Sequence, residues 1–353
     1  MSTFEQWLKT APAEINQSAI EAAQQHQMQL TKPAGSLGQL EAIAIQLAGM
    51  QSSATPQVNQ VHISVFAADH GIVEEGISAF PQAVTAEMIR NFAHGGAAIS
   101  VLAKELNASL DVINMGTVTE LETLSSVTDN RIAAGSTNFA QQAAMTHEQC
   151  EQAISVGQRH IEQLKHKNVD LFIAGEMGIG NTTSATAIAA ALLKLDAEGL
   201  SGPGTGLDAK GVGHKANVIN QALAKHQSEL RSPLAILQYL GGFEIAALVG
   251  CYLACGKQGL PVIIDGFISS VAALVAEYLC PGTKQWFIYS HHSAEPGHQY
   301  VLKALTAKPL IDISMRLGEA SGAATVLPLI RLSCALHNQM ATFEQAAVSG
   351  KTT

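Results

Sequence analysis

Apolar and polar positions follow two different textures along the chain. Between about residues 10 and 50, Ile15, Ala19, Ala22 and Ala23, then Leu37, Leu40, Ile43, Ala44 and Leu47, recur at helical spacing. Lys32–Gly38 (KPAGSLG) is a breaker cluster between the two periodic segments, with Ser36 as the expected N-cap of the second helix. From Val61 onward the pattern changes to short β-branched runs, each followed by a glycine or polar turn and usually by Ala-rich helical sequence. Val61–Ala67, Leu110–Asn114, Leu171–Ala174, Val262–Ile264 and Trp286–Ser290 read as buried strands. Strands that are apolar on both faces and alternate with helices predict a parallel sheet covered on both sides. Ala320–Leu332 and Leu336–Ala347 predict closing helices, and Gly199–Gly213 a glycine-rich surface loop long enough to be functional. The predicted fold is α/β: a Rossmann-like parallel sheet flanked by helices over residues 61–332. Residues 1–60, with 333–353, form a smaller helical lobe.

In open parallel sheets ligands bind outside the carboxyl ends of the strands, so the strand-end turns are where chemistry is expected. After the first strand, Asp69-His70-Gly71 offers a carboxylate and an imidazole at the crevice, or equally a capping Asp and a packed His. Ser78, Phe80 and Gln82 then combine a hydroxyl, a ring and an amide, a mixture that suits a flat heteroaromatic ligand. After the third strand a Gly-rich turn holding Glu176, Gly178, Gly180, Asn181, Thr182 and Thr183 runs into an Ala-rich helix from Ala185 to Leu195. Backbone N–H groups and the positive end of the helix dipole favour a phosphate there. The G-x-x-G-x-G spacing matches neither a P-loop nor the G-x-G-x-x-G dinucleotide fingerprint. Glu176 would repel a phosphate and suits ribose hydroxyls better. Lys210 and Lys215 are candidate phosphate counter-charges, with Lys215 expected to open the following helix.

Asp265, after the fourth strand, could cap the next helix or bind sugar hydroxyls. Ser293 lies among His291, His292 and His298 after the fifth strand; H-H-x5-H is no established zinc spacing, and no metal is expected. Glu319 sits between Gly318 and a small-residue helix start. A carboxylate held in an apolar pocket there has a raised pKa and can act as a general base. A helix-start Glu favoured by the macrodipole reads equally well from local sequence.

Composition narrows the class without naming the chemistry. With 353 residues, 47% hydrophobic and 14% charged, the chain is neither disordered nor a coiled coil, and it is long enough to bury a large core. Its net charge of −9 disfavours nucleic acid and leaves a nucleotide open. Five cysteines without a C-x-x-C pair suggest reduced thiols in a cytoplasmic protein. Met1–Leu8 has neither a basic nor an apolar region, so no secretory signal is expected. The apolar stretch Leu234–Cys280 is broken by Glu244, Pro261, Asp265 and Glu277, so no membrane span is expected either.

Taken in order, KPAGSLG, ADHG, EEGISAFPQ, GEMGIGNTT, DGFISS, SHHSAEPGH and RLGEASGAA span essentially the whole chain. Together they resemble the nicotinate-nucleotide–dimethylbenzimidazole phosphoribosyltransferase family of cobamide synthesis. One departure is Ala68, where a glycine often precedes Asp-His-Gly. The resemblance implies phosphoribosyl transfer from nicotinate mononucleotide to 5,6-dimethylbenzimidazole, giving α-ribazole 5′-phosphate and nicotinate. It implies Glu319 as the base that removes the benzimidazole proton, and a single inverting displacement because a β nucleotide becomes an α product. By the same resemblance Ser78, Phe80, Gln82, Met177 and Leu317 shape the benzimidazole pocket. Glu176, Gly178, Gly180, Asn181, Thr182, Thr183 and Asp265 hold the nucleotide, with Lys215 and Ser293 near its phosphate. A homodimer needing no cofactor and no metal is implied too. Two other readings keep the same crevice: a binding paralogue without turnover, against which the intact Glu319 argues, and a nucleotide N-glycosyl hydrolase that uses water.

Overall fold

The computed structural model describes residues 3–349. Its strands are β1 (Val61–Ala68), β2 (Ser109–Gly116), β3 (Val127–Asp129), β4 (Leu171–Met177), β5 (Val262–Ile264) and β6 (Phe287–Tyr289). They form one sheet in the order β3-β2-β1-β4-β5-β6, with every neighbouring pair parallel. This is the doubly wound α/β arrangement that the strand pattern predicts. Strand order reverses between β1 and β4, and the crevice at such a switch point is where ligands bind in open sheets.

The helices before β2 are α1 (Thr3–Lys9), α2 (Gln17–Gln29), α3 (Gln39–Gln51), α4 (Ala83–Ala93) and α5 (Ala98–Glu105). Beyond it come α6 (His147–Leu164), α7 (Asn181–Leu193), α8 (Ala209–Lys225), α9 (Pro233–Leu240) and α10 (Phe243–Gln258). The last three are α11 (Phe267–Leu279), α12 (His298–Leu305) and α13 (Ser321–Gln339). Helices α6 and α10 cover one face of the sheet, and α13 lies on the other with α3 and α5 against it. Side chains of α10 are buried without interruption from Phe243 to Gly256, as expected of a helix apolar on all sides. Gly157 and Gly250 let α6 and α10 cross at backbone contact: a Cβ on either would stand 2.0 Å from a carbonyl oxygen of the other helix. Ile43, Leu47 and Met50 of α3 belong to the same buried cluster as the strands, and α13 runs unbroken across residues 332 and 333.

Several local expectations are corrected. β4 extends to Met177, because Gly175, Glu176 and Met177 pair with Val65, Phe66 and Ala67; the glycine-rich turn therefore starts only at Gly178. Helix α7 begins at Asn181 rather than Ala185. Ser36 caps nothing: α3 starts after Gly38, whose φ of 57° is left-handed, and the Glu41 carboxylate accepts the loop N–H groups of Gly35 and Leu37. Lys215 lies inside α8, which Asp208 caps, so the last third of the predicted Gly199–Gly213 loop is helix. The chain after α13 does not form a helix to Ala347; it turns back so that Thr342 bridges Leu30 and Phe343 N–H donates to Gln29 O. Strand β3 carries no sequence signal, being three residues at the sheet edge, half-buried Val127 and exposed Thr128 and Asp129. Helix α1 precedes the predicted helical segment and packs Phe4, Trp7 and Leu8 on the core.

Candidate active site

A cavity of about 550 Å³ opens outside the carboxyl ends of the central strands, a size suited to a small ligand. The first turns of α7 and α11 and the loop entering α13 border it, through Asn181 and Thr182, Gly266 to Ile268, and Gly318 and Glu319. Helix N-termini attract anions, yet the same wall carries the carboxyl groups of Glu176, Asp265, Glu295 and Glu319, all buried. The site therefore places positive helix ends and acidic side chains within one small space.

Glu319 is held in an unusual backbone. Gly318, Glu319 and Ala320 have φ of 85°, 61° and 65°, and left-handed geometry costs a non-glycine residue on the order of 1–3 kcal/mol. The turn is tied down by Ser321, whose N–H and Oγ both donate to Gly318 O, and by Asp265, whose Oδ1 accepts the Ala323 N–H at 2.8 Å. Asp265 thus caps α13, the helix that follows Glu319, rather than the helix after its own strand. Glu319 Oε2 is buried without a hydrogen-bond partner. Burial pushes this carboxyl up to about 7, with nearby Asp265 adding to the rise. A carboxylate so placed exchanges its proton near neutrality.

Gly175 of β4 is what admits this turn. A Cβ there would stand 2.3 Å from Ala320 N and 2.6 Å from the Glu319 carbonyl carbon, both backbone atoms that cannot swing away. Gly175→Ala is expected to destabilise the fold by about 1–3 kcal/mol and to displace Glu319. Denaturant unfolding checks this; an unchanged midpoint would show that the turn yields freely.

Glu176 lies under Gly318, and its Oε2 accepts a hydrogen bond from Asn181 Nδ2. Burial, then Glu244, Asp265 and Glu319, raise its pKa well above the ordinary carboxylate range. Lys215 is fully buried behind Thr182, donating from Nζ to Thr182 Oγ1 at 2.8 Å and to Gly202 O at 3.4 Å. Burial lowers its pKa to about 8, against the opposing pull of Glu295.

Of the residues singled out in the sequence, Phe80, Met177, Leu317, Glu176, Gly178, Asn181, Thr182, Asp265, Ser293 and Glu319 line the cavity. Phe80 and Leu317 stand at its walls with 47% and 58% of their surface exposed, an apolar pair open to a flat ligand. Ser78, Gln82, Gly180, Thr183 and Lys215 lie off the wall. Ser78 Oγ exchanges hydrogen bonds with the backbone of Phe80, and Gln82 Nε2 donates to His70 O, so both shape the Phe80 loop. Gly180 turns the chain into α7 at φ 98°. Two backbone N–H groups of this turn are taken internally, Asn181 by Gly178 O and Thr183 by Gly180 O.

Asp69 and His70 do not face the crevice; they sit beneath it. Asp69 Oδ2 accepts the Val118 N–H, and His70 bridges Ser184 Oγ at 2.9 Å and Glu244 Oε1 at 2.7 Å, entirely buried. His291 lines the cavity, held by Ser290 Oγ, whereas His292 is half-exposed and lies outside it. His298 takes the Ser293 N–H on Nδ1 and donates from Nε2 to Ser270, so it orients the Ser293 loop. Lys210 is exposed and off the wall. Sequence reasoning missed Val84, Met88, Phe267, Glu295 and Arg316 on the wall, and Glu244 below it. Arg316 Nη1 donates to Gly204 O, which links the α13 loop to the glycine-rich loop. Its position next to Leu317 in RLGEASGAA is the one signal that could have found it.

Comparison with known proteins gives a consistent result. A family model described as phosphoribosyltransferase matches residues 13–348. A protein of Pseudomonas putida KT2440 named nicotinate-nucleotide–dimethylbenzimidazole phosphoribosyltransferase is 54% identical over 345 residues, covering 98% of each chain. One of Pseudomonas aeruginosa PAO1 with the same name is 52% identical, covering 98% of this chain and 99% of that one. A crystal structure of CobT from Thermus thermophilus superposes with a TM-score of 0.90 at 39% identity, covering 94% of this chain and 99% of its own.

Proposed function

The chain belongs to the nicotinate-nucleotide–dimethylbenzimidazole phosphoribosyltransferase family, and from that membership we propose that it moves the phosphoribosyl group of nicotinate mononucleotide to 5,6-dimethylbenzimidazole. The observation that carries the mechanism is Glu319: a buried carboxyl on the cavity wall, one oxygen unpartnered, with a pKa near 7. One ring nitrogen of the benzimidazole attacks C1′, and the bond from C1′ to the nicotinate nitrogen breaks. The proton on the other ring nitrogen passes to Glu319. The leaving nitrogen is already cationic and needs no acid, so one base suffices. Attack from the face opposite the leaving group converts the β nucleotide into the α product, and the acidic wall favours the positive charge that develops on the sugar.

Phe80, Met177 and Leu317 suit the flat apolar face of the benzimidazole. Glu176 suits a ribose hydroxyl. The start of α7 with Thr182 and, behind it, Lys215 suits the phosphate. The homodimer enters as part of the same proposal, tested by sedimentation against twice the mass of one chain. So does a cytoplasmic location, which five free, buried cysteines favour. Among the described residues no helix is long and apolar enough to cross a membrane.

Incubation with nicotinate mononucleotide, with and without dimethylbenzimidazole, tests the function. Nicotinate release that requires the base, together with an α-configured product by NMR, is expected. Release without the base would make the protein a hydrolase, and no release in either case would leave it a binding protein. The pH profile provides a second test. The rate should rise through about pH 7 as Glu319 loses its proton. Capture of the mononucleotide should weaken above about pH 8 as Lys215 loses its own. An acid limb absent across the neutral range would remove Glu319 from the base role.

A further inference from the structure

Far from the cavity, at the amino ends of the strands, His62 of β1, Asp111 of β2 and His160 of α6 bring three ligand atoms within 4.8 Å of one another. Ala68, at the crevice end of β1, lies six residues beyond His62, about 20 Å along the strand. His62 is 1% exposed, and its Nε2 stands 3.0 Å from Asp111 Oδ2. That separation is ion-pair distance, and the ring nitrogen has no well-aligned hydrogen-bond partner. The other ring nitrogen explains why. Ser109 Oγ donates to Val61 O, which leaves its lone pairs to accept from His62 Nδ1–H at 2.7 Å. In that tautomer Nε2 carries a lone pair, and it lies beside the half-exposed Asp111 carboxylate. Two acceptors side by side call for a cation between them.

His160 completes the set. Ser64 Oγ lies 2.7 Å from its Nε2 and orients the ring, and the ring edge packs against Phe66. Phe172, stacked on His62, closes the apolar wall, while half-exposed Asp111 and His160 leave an entry path and room for a water.

We propose that His62, Asp111 and His160 form a binding site for a divalent transition-metal cation, zinc foremost, which clamps α6 to the β1–β2 edge of the sheet. Two imidazoles and one carboxylate are a donor set of the zinc type, with an open fourth position for solvent. Zinc bonds of 2.0–2.2 Å place tetrahedral ligand atoms roughly 3.4 Å apart, so a spacing as wide as 4.8 Å has to close by about 1.4 Å. His160, held by Ser64 and packed near Phe66 and Phe172, is the ligand that has to shift. Ser109 supplies the outer hydrogen bond that metal-bound histidines generally make. Lys167 Nζ, 3.9 Å from Asp111 Oδ2 and more than half exposed, is the cation that a metal would displace.

Full-length protein stripped with a chelator and titrated with Zn²⁺ tests the site, with Co²⁺ as an optical reporter of the ligand geometry. The wild type should bind one Zn²⁺ per chain, survive desalting with it and melt at a higher temperature. His160→Ala and Asp111→Asn, both at half-exposed positions, should each weaken binding at least about tenfold. Lys167→Ala should tighten it, and transferase activity in these variants should stay as in wild type because the crevice is distant. If the wild type takes up no zinc, or if all variants match it in stoichiometry and affinity, the assignment fails. A failed assignment leaves the proposed transferase activity untouched, since that activity is read with chelator present.

Discussion

Glu319→Gln is expected to lower the rate of phosphoribosyl transfer by about 10²–10⁴-fold, the usual range for losing a general base, while both substrates still bind. The same substitution should stabilise the protein. The carboxyl titrates near 7 in the fold against an ordinary 4.5, so the folded state holds its proton more tightly than the unfolded chain. Wild-type stability therefore falls as pH rises from about 4.5 through about 7, where the charged form becomes buried without a partner. The amide has no such dependence, so the variant's advantage grows with pH and reaches up to about 3 kcal/mol at pH 8. Initial rates together with denaturant unfolding at pH 5 and pH 8 check both halves. A variant that is slow but no more stable at pH 8 would mean that the Glu319 charge is better solvated than its burial implies.

His70→Leu is expected to cost about 3–5 kcal/mol, a third or more of the stability of a typical domain. The imidazole joins the end of β1 to α7 through Ser184 and to the first turn of α10 through Glu244, with all of these side chains buried. Without the ring, Glu244 loses the partner of Oε1 while its Oε2 already has none. The double variant His70→Leu/Glu244→Leu should recover much of the loss, because apolar side chains replace the pair instead of stranding one member. Urea unfolding of the two single variants and the double variant measures the coupling. Single variants within about 1 kcal/mol of wild type would show that water reaches the pair.

The crevice-bearing half of the chain was largely legible because its signals are local. Continuous β-branched runs gave five of the six strands, and the motifs at their ends supplied most of the cavity wall. What failed did so for identifiable reasons. Gly175-Glu176-Met177 carries turn residues, but β1 supplies hydrogen bonds that keep it extended. Lys215 has the composition of a solvated lysine, yet α8 packs it against the glycine-rich loop and buries it. Arg316 and Glu295 line the cavity only because the loops before α12 and α13 fold over it. His62, Asp111 and His160 are separated by some fifty residues at each step, a spacing no metal-ligand pattern anticipates.

By itself, the sequence determined the parallel α/β architecture, the family and the nomination of Glu319, since hydrophobic periodicity and contiguous motifs are properties of neighbouring residues. The tertiary structure alone decided which groups are charged and what they face. A carboxyl group's pKa depends on burial and on charges brought from distant strands and helices, and those distances exist only once the sheet has closed. Glu319 could have been a solvated helix-start residue; Gly175, Asp265 and the left-handed turn make it a buried one.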